Sequence, residues 1–335
     1  MFQTGAATNL NDVFAQLATF ITAQGWIEDE DETNGFPSYH RGNVYVQFRY
    51  NPTSSGALGR HLGVYQSLGY TPGNNPGSHP QDSGNGAFSS SATIAETTLD
   101  NERHVSNVGD GPFNYWFFED EIYVHVVLEV RPGEFRHFGF GEIQKFGSWT
   151  GGEYAYGHTH EFDTAAELST SAICAMLDGI YNSATGTEEL RAATMRLVGL
   201  PDQDPATVWA NVWGGISGQG LDQAGNVRAN VSGGFRGGFA ARALGSYSPG
   251  ATGQSSIGVL PMYPINCWYL DTANTRARYI GSMPDVRGMN IASFAPGDEV
   301  TVSADTWVVF PLSIKQIGGD RSTGNLGIAY KKVTT

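Results

Sequence analysis

Charge is scarce in this chain. Only 16% of its 335 residues are Asp, Glu, Lys or Arg, against roughly 25% in an average soluble protein. Basic residues are the scarcer kind, and the net charge is -14. An acidic surface repels phosphate backbones, so no direct nucleic-acid binding is expected; a wall it formed around passing DNA would not adhere. Cysteine is nearly absent. Cys174 and Cys267 stand far apart, which makes neither a disulfide framework nor a zinc site. Cys174, in the apolar helical context "STSAICAML", reads as a small buried hydrophobe. No apolar run approaches the ~18 residues of a membrane span, so no membrane partner is expected. The first basic residue is Arg41. The start therefore lacks the positive-then-apolar order of a secretory signal and the arginines of a mitochondrial presequence. The expectation is synthesis in a cytoplasm without classical export.

What the chain does have is glycine, 44 residues, and aromatics at 12%. With little charge, they point to a turn-rich β protein that buries part of its surface against partners.

Near the start, Leu10, Val13, Phe14, Leu17, Phe20 and Ile21 recur at helical spacing. Thr8 or Asn9 suits the cap and Gly25 the stop. Five consecutive acids, Glu28 to Glu32, read as a solvated loop, with a cation site as the lesser reading. "NVYVQFRY" alternates as a strand, with Val44, Val46 and Phe48 on one face and Tyr45, Gln47 and Arg49 on the other. Residues 51–112 are rich in Gly, Pro, Ser and Asn. They read as a long excursion with few core residues, one solution being that it lies on a neighbouring subunit.

"FNYWFF", "IYVHVVLEV" and "FRHFGFGEI" then form an antiparallel meander, turning at "EDE" and at Pro132-Gly133. The second strand is apolar on both faces. Ile122, Val124, Val126, Leu128 and Val130 alternate with Tyr123, His125 and Val127, so both faces should be covered. Further on, Thr164 and Glu167 resemble a capping box before "LSTSAICAMLDGIY". "TEELRAATMRLVGL" reads as another helix, stopped by Pro201. Residues 214–258 read as a glycine-rich insertion. Their "VSGGFRGGFAARALG" is only a weak phosphate-loop match, because strand–loop–helix context and a GKS or GKT ending are missing. The C-terminal part returns to strands: "IGVLPMYPINCWYL", "RYIGSMPDVRGMN", the hairpin "PGDEVTVSADTWVVFPL", and "GNLGIAYKKV".

The most catalytic-looking cluster is "GHTHEFD". On a strand His158 and His160 share one side and suit a single metal ion. Asp163 or Glu161 would add oxygen, and His125 or His137 would approach from the meander. A metal-dependent hydrolase is the reading this supports, but short His-x-His pairs arise by chance and HExxH is absent. His125 and His137 otherwise read as packing residues on an aromatic sheet. No G-x-S-x-G occurs, and "GGISGQG" lacks the flanking strand and helix of a nucleophile elbow. Glu119 and Glu121 imitate a glycosidase pair but fall in what reads as an exposed turn. Trp116 and its aromatic neighbours read as core or interface, with a host-glycan platform as the alternative.

Three blocks together carry a resemblance. They are "TGAATNLNDVFAQLATFITAQGW", "FNYWFFEDEIYVHVVLEVRPGEFRHFGFG", and "RYIGSMPDVRGMNIASFAPGDEVTVSADTWVVFPL" ending in "GIAYKKV". The layout resembles tailed-bacteriophage virion structural proteins of tail and tail-associated gene clusters. The resemblance implies a non-enzymatic subunit of the baseplate, tail tip or head–tail neck. It would be located in the virion, with no cofactor, and its partners would be copies of itself and other virion structural proteins. No catalytic residue is implied. The fold expected is α+β, mainly β: an antiparallel or β-sandwich core with an N-terminal helix and an inserted helical, Gly-rich lobe. Residues 1–160 would hold the helix and meander, 161–258 the insertion and 259–335 the closing strands.

Overall fold

The computed structural model describes residues 1–50, 62–76, 78–81, 103–105, 108–157, 193–200, 209–213, 235–239, 262–270, 277–311 and 326–333. Strand β1 (Phe2–Ala7) leads into helix α1 (Leu10–Thr22). Asn9 is the cap, its side chain accepting from the Asp12 N–H at 3.0 Å, while the Asp12 carboxylate accepts the Thr8 N–H at 2.8 Å. Such a cap is worth about 1 kcal/mol. The expected apolar face is the buried one: Leu10, Val13, Phe14, Leu17, Phe20 and Ile21. Gly25 follows at φ +90, where a left-handed backbone ends the helix.

Strands β2 (Ile27–Glu30), β3 (Ser38–Arg41), β4 (Val44–Arg49), β5 (Leu62–Ser67) and β6 (Arg103–Val105) form a five-stranded antiparallel sheet in chain order. Val44, Val46 and Phe48 lie in its core as the alternation predicts. Two expectations fail here. The acid run is not all loop: Glu28 to Glu30 belong to the edge strand β2, where Asp29 pairs with His40 and Glu30 accepts the Tyr70 hydroxyl. Acids on an edge strand keep other chains from pairing with it. The described part of the 51–112 excursion is not poor in core either, because β5 is buried along its whole length. Its sequence, "LGVYQS", is too short and mixed to stand out.

The second sheet is far larger. Strands β7 (Phe113–Asp120), β8 (Tyr123–Arg131) and β9 (Glu134–Glu142) are the meander. They are followed by β10 (Gln144–Lys145), β11 (Glu153–Tyr156), β12 (Ala193–Arg196), β13 (Trp209–Trp213) and β14 (Phe235–Phe239). The chain ends with β15 (Tyr263–Leu270), β16 (Ala277–Asn290), β17 (Glu299–Val302), β18 (Asp305–Pro311) and β19 (Leu326–Lys332). Their order is β1-β7-β8-β9-β11-β12-β13-β14-β15-β16-β19-β18-β17, with β10 paired to β16. Every pairing is antiparallel except β13 with β14. The fold is mainly β, with one N-terminal helix.

The sequence reading of the middle region needs correction. Ala193–Arg196, read as part of a second helix, is a strand paired with β11 and β13. Phe235–Phe239, inside the weak phosphate-loop match, is a strand between β13 and β15. Where described, the insertion extends the large sheet, because ladder pairing with β11 and β15 overrides local propensity. The capping box at Thr164 and the first inserted helix lie outside the described residues.

The large sheet turns back on itself, and the meander becomes the middle of three layers. On one face of β8, Val124, Val126, Leu128 and Val130 share a core with α1 and the five-stranded sheet. On the other, Tyr123 and Val127 share a core with Ile265, Cys267, Val286, Phe310 and Tyr330 of the C-terminal strands. The two-sided apolar strand is thus covered on both sides. Ile122 is the exception: it sits in the turn before β8 and is exposed. Burial pushes the Cys267 thiol well up, leaving it an inert part of this core.

Candidate functional site: a buried histidine–tyrosine chain

The polar groups with the most unusual placement are the two meander histidines. Both are completely buried, on the face of the meander turned to the C-terminal strands. His125 Nε2 lies 3.1 Å from the Pro284 carbonyl, and Nδ1 lies 3.0 Å from the Tyr156 hydroxyl. A carbonyl only accepts, so Nε2 carries the proton and Nδ1 accepts from the phenol. His137 repeats the arrangement: Nε2 donates to the Pro311 carbonyl at 3.0 Å, and Nδ1 accepts from Tyr330 at 2.9 Å. The two tyrosine oxygens stand 3.5 Å apart. Each phenol has one proton, already directed to its histidine, so the two His–Tyr pairs abut.

Glycine makes this geometry possible. Gly139 on β9 pairs in register with His125 on one side and Tyr156 on the other. With no side chain between them, the imidazole and the phenol meet across it. Gly141 repeats the device between Tyr123 and Tyr154. The "FGFG" texture is therefore a pair of slots closed over by aromatic rings. Beside them, the Tyr123 hydroxyl donates to Asp285 at 2.9 Å. Asp285 is one of three non-glycine residues at positive φ among the described residues.

Burial keeps His125 neutral. Complete burial holds His125 down at about 3, against an ordinary 6.5; its bond to the Pro284 carbonyl opposes this only partly. Burial likewise pushes the Tyr123 and Tyr154 phenols well up. A buried, neutral imidazole with both nitrogens engaged has little to offer as a general base. What it does is tie layers together: His125 and His137 bond C-terminal carbonyls across the core, fixing how the two halves of the sheet superpose.

The other sequence candidates fare unevenly. His158, His160, Glu161 and Asp163 lie outside the described residues. His125 and His137, their expected partners from the meander, have their ring nitrogens engaged by tyrosine hydroxyls and backbone carbonyls. Among the described residues no cluster of three or more His, Cys, Asp or Glu is placed to hold a metal ion. Trp116 is partly buried and packs edge-on against Phe310, ring centroids 5.0 Å apart, at the border of a core. Glu119, read as an exposed turn residue, is buried: it takes Arg41 at 3.2 Å and the Trp26 indole N–H at 3.4 Å. Burial raises its carboxyl, and the Met1 amino group, Trp26 and Arg41 pull the other way. The turn starts two residues later than the "EDE" pattern suggests, at Glu121. Glu119→Ala strands Arg41 and the indole, with an expected cost of about 1–3 kcal/mol in urea unfolding.

Sequence reasoning missed Tyr156 and Tyr330. Each sits in a strand-like run, "YAY" and "GIAYKK", and only the fold brings them to the histidines. No protein-family model matches this chain, and no curated protein matches it.

Proposed function

We propose that this chain is a structural subunit of a tailed-bacteriophage virion. Its place on this reading is tail-associated, in the baseplate, tail tip or head–tail neck. It works by symmetric assembly with copies of itself and other virion proteins, not by turnover, and it uses no cofactor.

One observation carries the reading. The stretch that resembles phage virion proteins is the middle layer of the fold, packed on both faces, with its histidines and tyrosines committed to one another. Such a core is stiff, since close-packed layers have few alternative arrangements. Stiffness suits a part that must hold its shape while neighbours dock on it. The acidic balance suits a wall that does not retain DNA.

The test is composition of the particle. Virions purified through a density gradient should contain this chain in fixed ratio to the other tail proteins, by mass spectrometry. Finding it in the lysate but never in the particle removes the proposal.

A further inference from the structure

The described sheets end in edge strands of unequal character. The outer strand β2 carries Glu28, Asp29 and Glu30. The outer strand β17 is only four residues long, begins with Glu299, and has Lys332 held against that carboxylate at 2.7 Å. Short length and charge are the usual ways of blunting an edge. The outer strand β6 is three residues long and begins with Arg103, whereas the fourth edge, β1, is neither short nor charged. Its six residues, "FQTGAA", hold no charge and no proline, and Thr4 and Ala6 are exposed.

The ladder shows which main-chain groups of β1 turn away from β7. Met1 and Glu119 exchange main-chain bonds in both directions. Narrow and wide pairs alternate along an antiparallel ladder. Gln3, Gly5 and Ala7 therefore also bond to β7, whereas the N–H and C=O of Phe2, Thr4 and Ala6 point away from it.

We infer that β1 is a self-pairing edge: two copies of this chain join antiparallel through β1 about a twofold axis at Thr4. The side chains select this occupant. With Thr4 opposite Thr4, Phe2 of one copy stands opposite Ala6 of the other, and Gln3 opposite Gly5. Each large residue meets a small one on the same face, the arrangement that lets cross-strand neighbours pack without collision. The outward groups of Phe2, Thr4 and Ala6 then bond to one another, and the interface is isologous, as a twofold requires. No like charges meet across the seam, because β1 has none. The large sheet would run continuously through both copies. This interface belongs to the isolated chain and holds whether or not the virion reading does.

Sedimentation velocity of the purified full chain, with any affinity tag placed at its C-terminal end, decides it. The expected result is a concentration-dependent dimer. Thr4→Pro removes the outward N–H and the Thr4 hydroxyl bond to the Tyr115 carbonyl, but no main-chain bond to β7, and should weaken the dimer about tenfold or more. Thr4→Val, which keeps that N–H, should leave it intact. If Thr4→Pro misfolds by circular dichroism, Ala6→Lys at an exposed position takes its place and should also give monomer. A wild-type chain that stays monomeric at every concentration overturns the inference. So does a dimer that survives a folded Thr4→Pro or Ala6→Lys variant. Particle content tests the virion proposal separately.

Discussion

Gly139→Ala is expected to be severely damaging for a single methyl in the middle layer, costing about 3 kcal/mol or more. The reason is space. A Cβ on Gly139 would stand 2.6 Å from the Tyr156 ring, 2.7 Å from the Val124 carbonyl oxygen and 2.8 Å from His125 Nδ1. The rings have room to give a little, but the carbonyl is part of the β8–β9 ladder and cannot move without breaking it. The methyl would also drive His125 and Tyr156 apart, uncoupling two buried polar groups that satisfy each other. Gly133→Ala is the control. Gly133 sits in the Pro132-Gly133 turn at φ +78 with nothing within 4 Å of a Cβ. It should cost only the left-handed backbone term, about 1–2 kcal/mol. Urea midpoints of the two variants measure the difference. Equal losses would mean that the slot across β9 is not what glycine is there for.

Acid should destabilise the fold through His125. In the folded chain this imidazole stays neutral down to about 3, whereas in the unfolded chain it protonates near 6.5. Between those values the unfolded state binds the extra proton, so stability falls as the pH falls. The contribution is complete above about 6.5 and is lost at about 1.4 kcal/mol per pH unit down to about 3. Two carboxylates work in the opposite sense. Glu119 and Glu153 are raised by burial, so each favours the fold most below its ordinary range and loses that contribution as the pH rises through its raised value. The wild-type curve is therefore a sum, and His125→Phe separates the terms. At pH 7 the variant takes the imidazole away from the Tyr156 hydroxyl and the Pro284 carbonyl, at about 2–4 kcal/mol. As the pH drops toward 4 its deficit should shrink, because it has no imidazole to protonate. Denaturant unfolding at pH 7, 5 and 4 tests this. Parallel curves for the two chains would show that His125 does not govern the acid response.

The proposed virion role and the β1 interface connect through the same framework. A sheet whose middle is closed on both faces leaves edges and loops for contact, and the acids of β2 guard one edge while β1 stands open. Assembly through an uncharged edge also fits a chain with few charges overall.

Much of this was legible in the residues themselves. The 3.6-residue spacing from Leu10 to Ile21 determined α1, and its start was narrowed to Thr8 or Asn9, of which the structure uses Asn9. The two-sided apolar run of β8 determined that the meander would be an inner layer, since an apolar face must be covered wherever it lies. The C-terminal strands followed from alternation and turn residues. The tertiary structure alone decided the rest. Helical propensity in "TEELRAATMRLVGL" lost to ladder bonds at Ala193–Arg196, because a strand's stability comes from neighbours distant in sequence. Glu119 passed from turn to buried ion pair through Trp26 and Arg41, far behind it in the chain. Above all, nothing local marks Tyr156 and Tyr330 as partners of His125 and His137, which lie 31 and 193 positions away. The sequence determined that these histidines would be buried on an aromatic sheet. Only the folding of one sheet back on itself, across two glycine slots, decided what their nitrogens would bond.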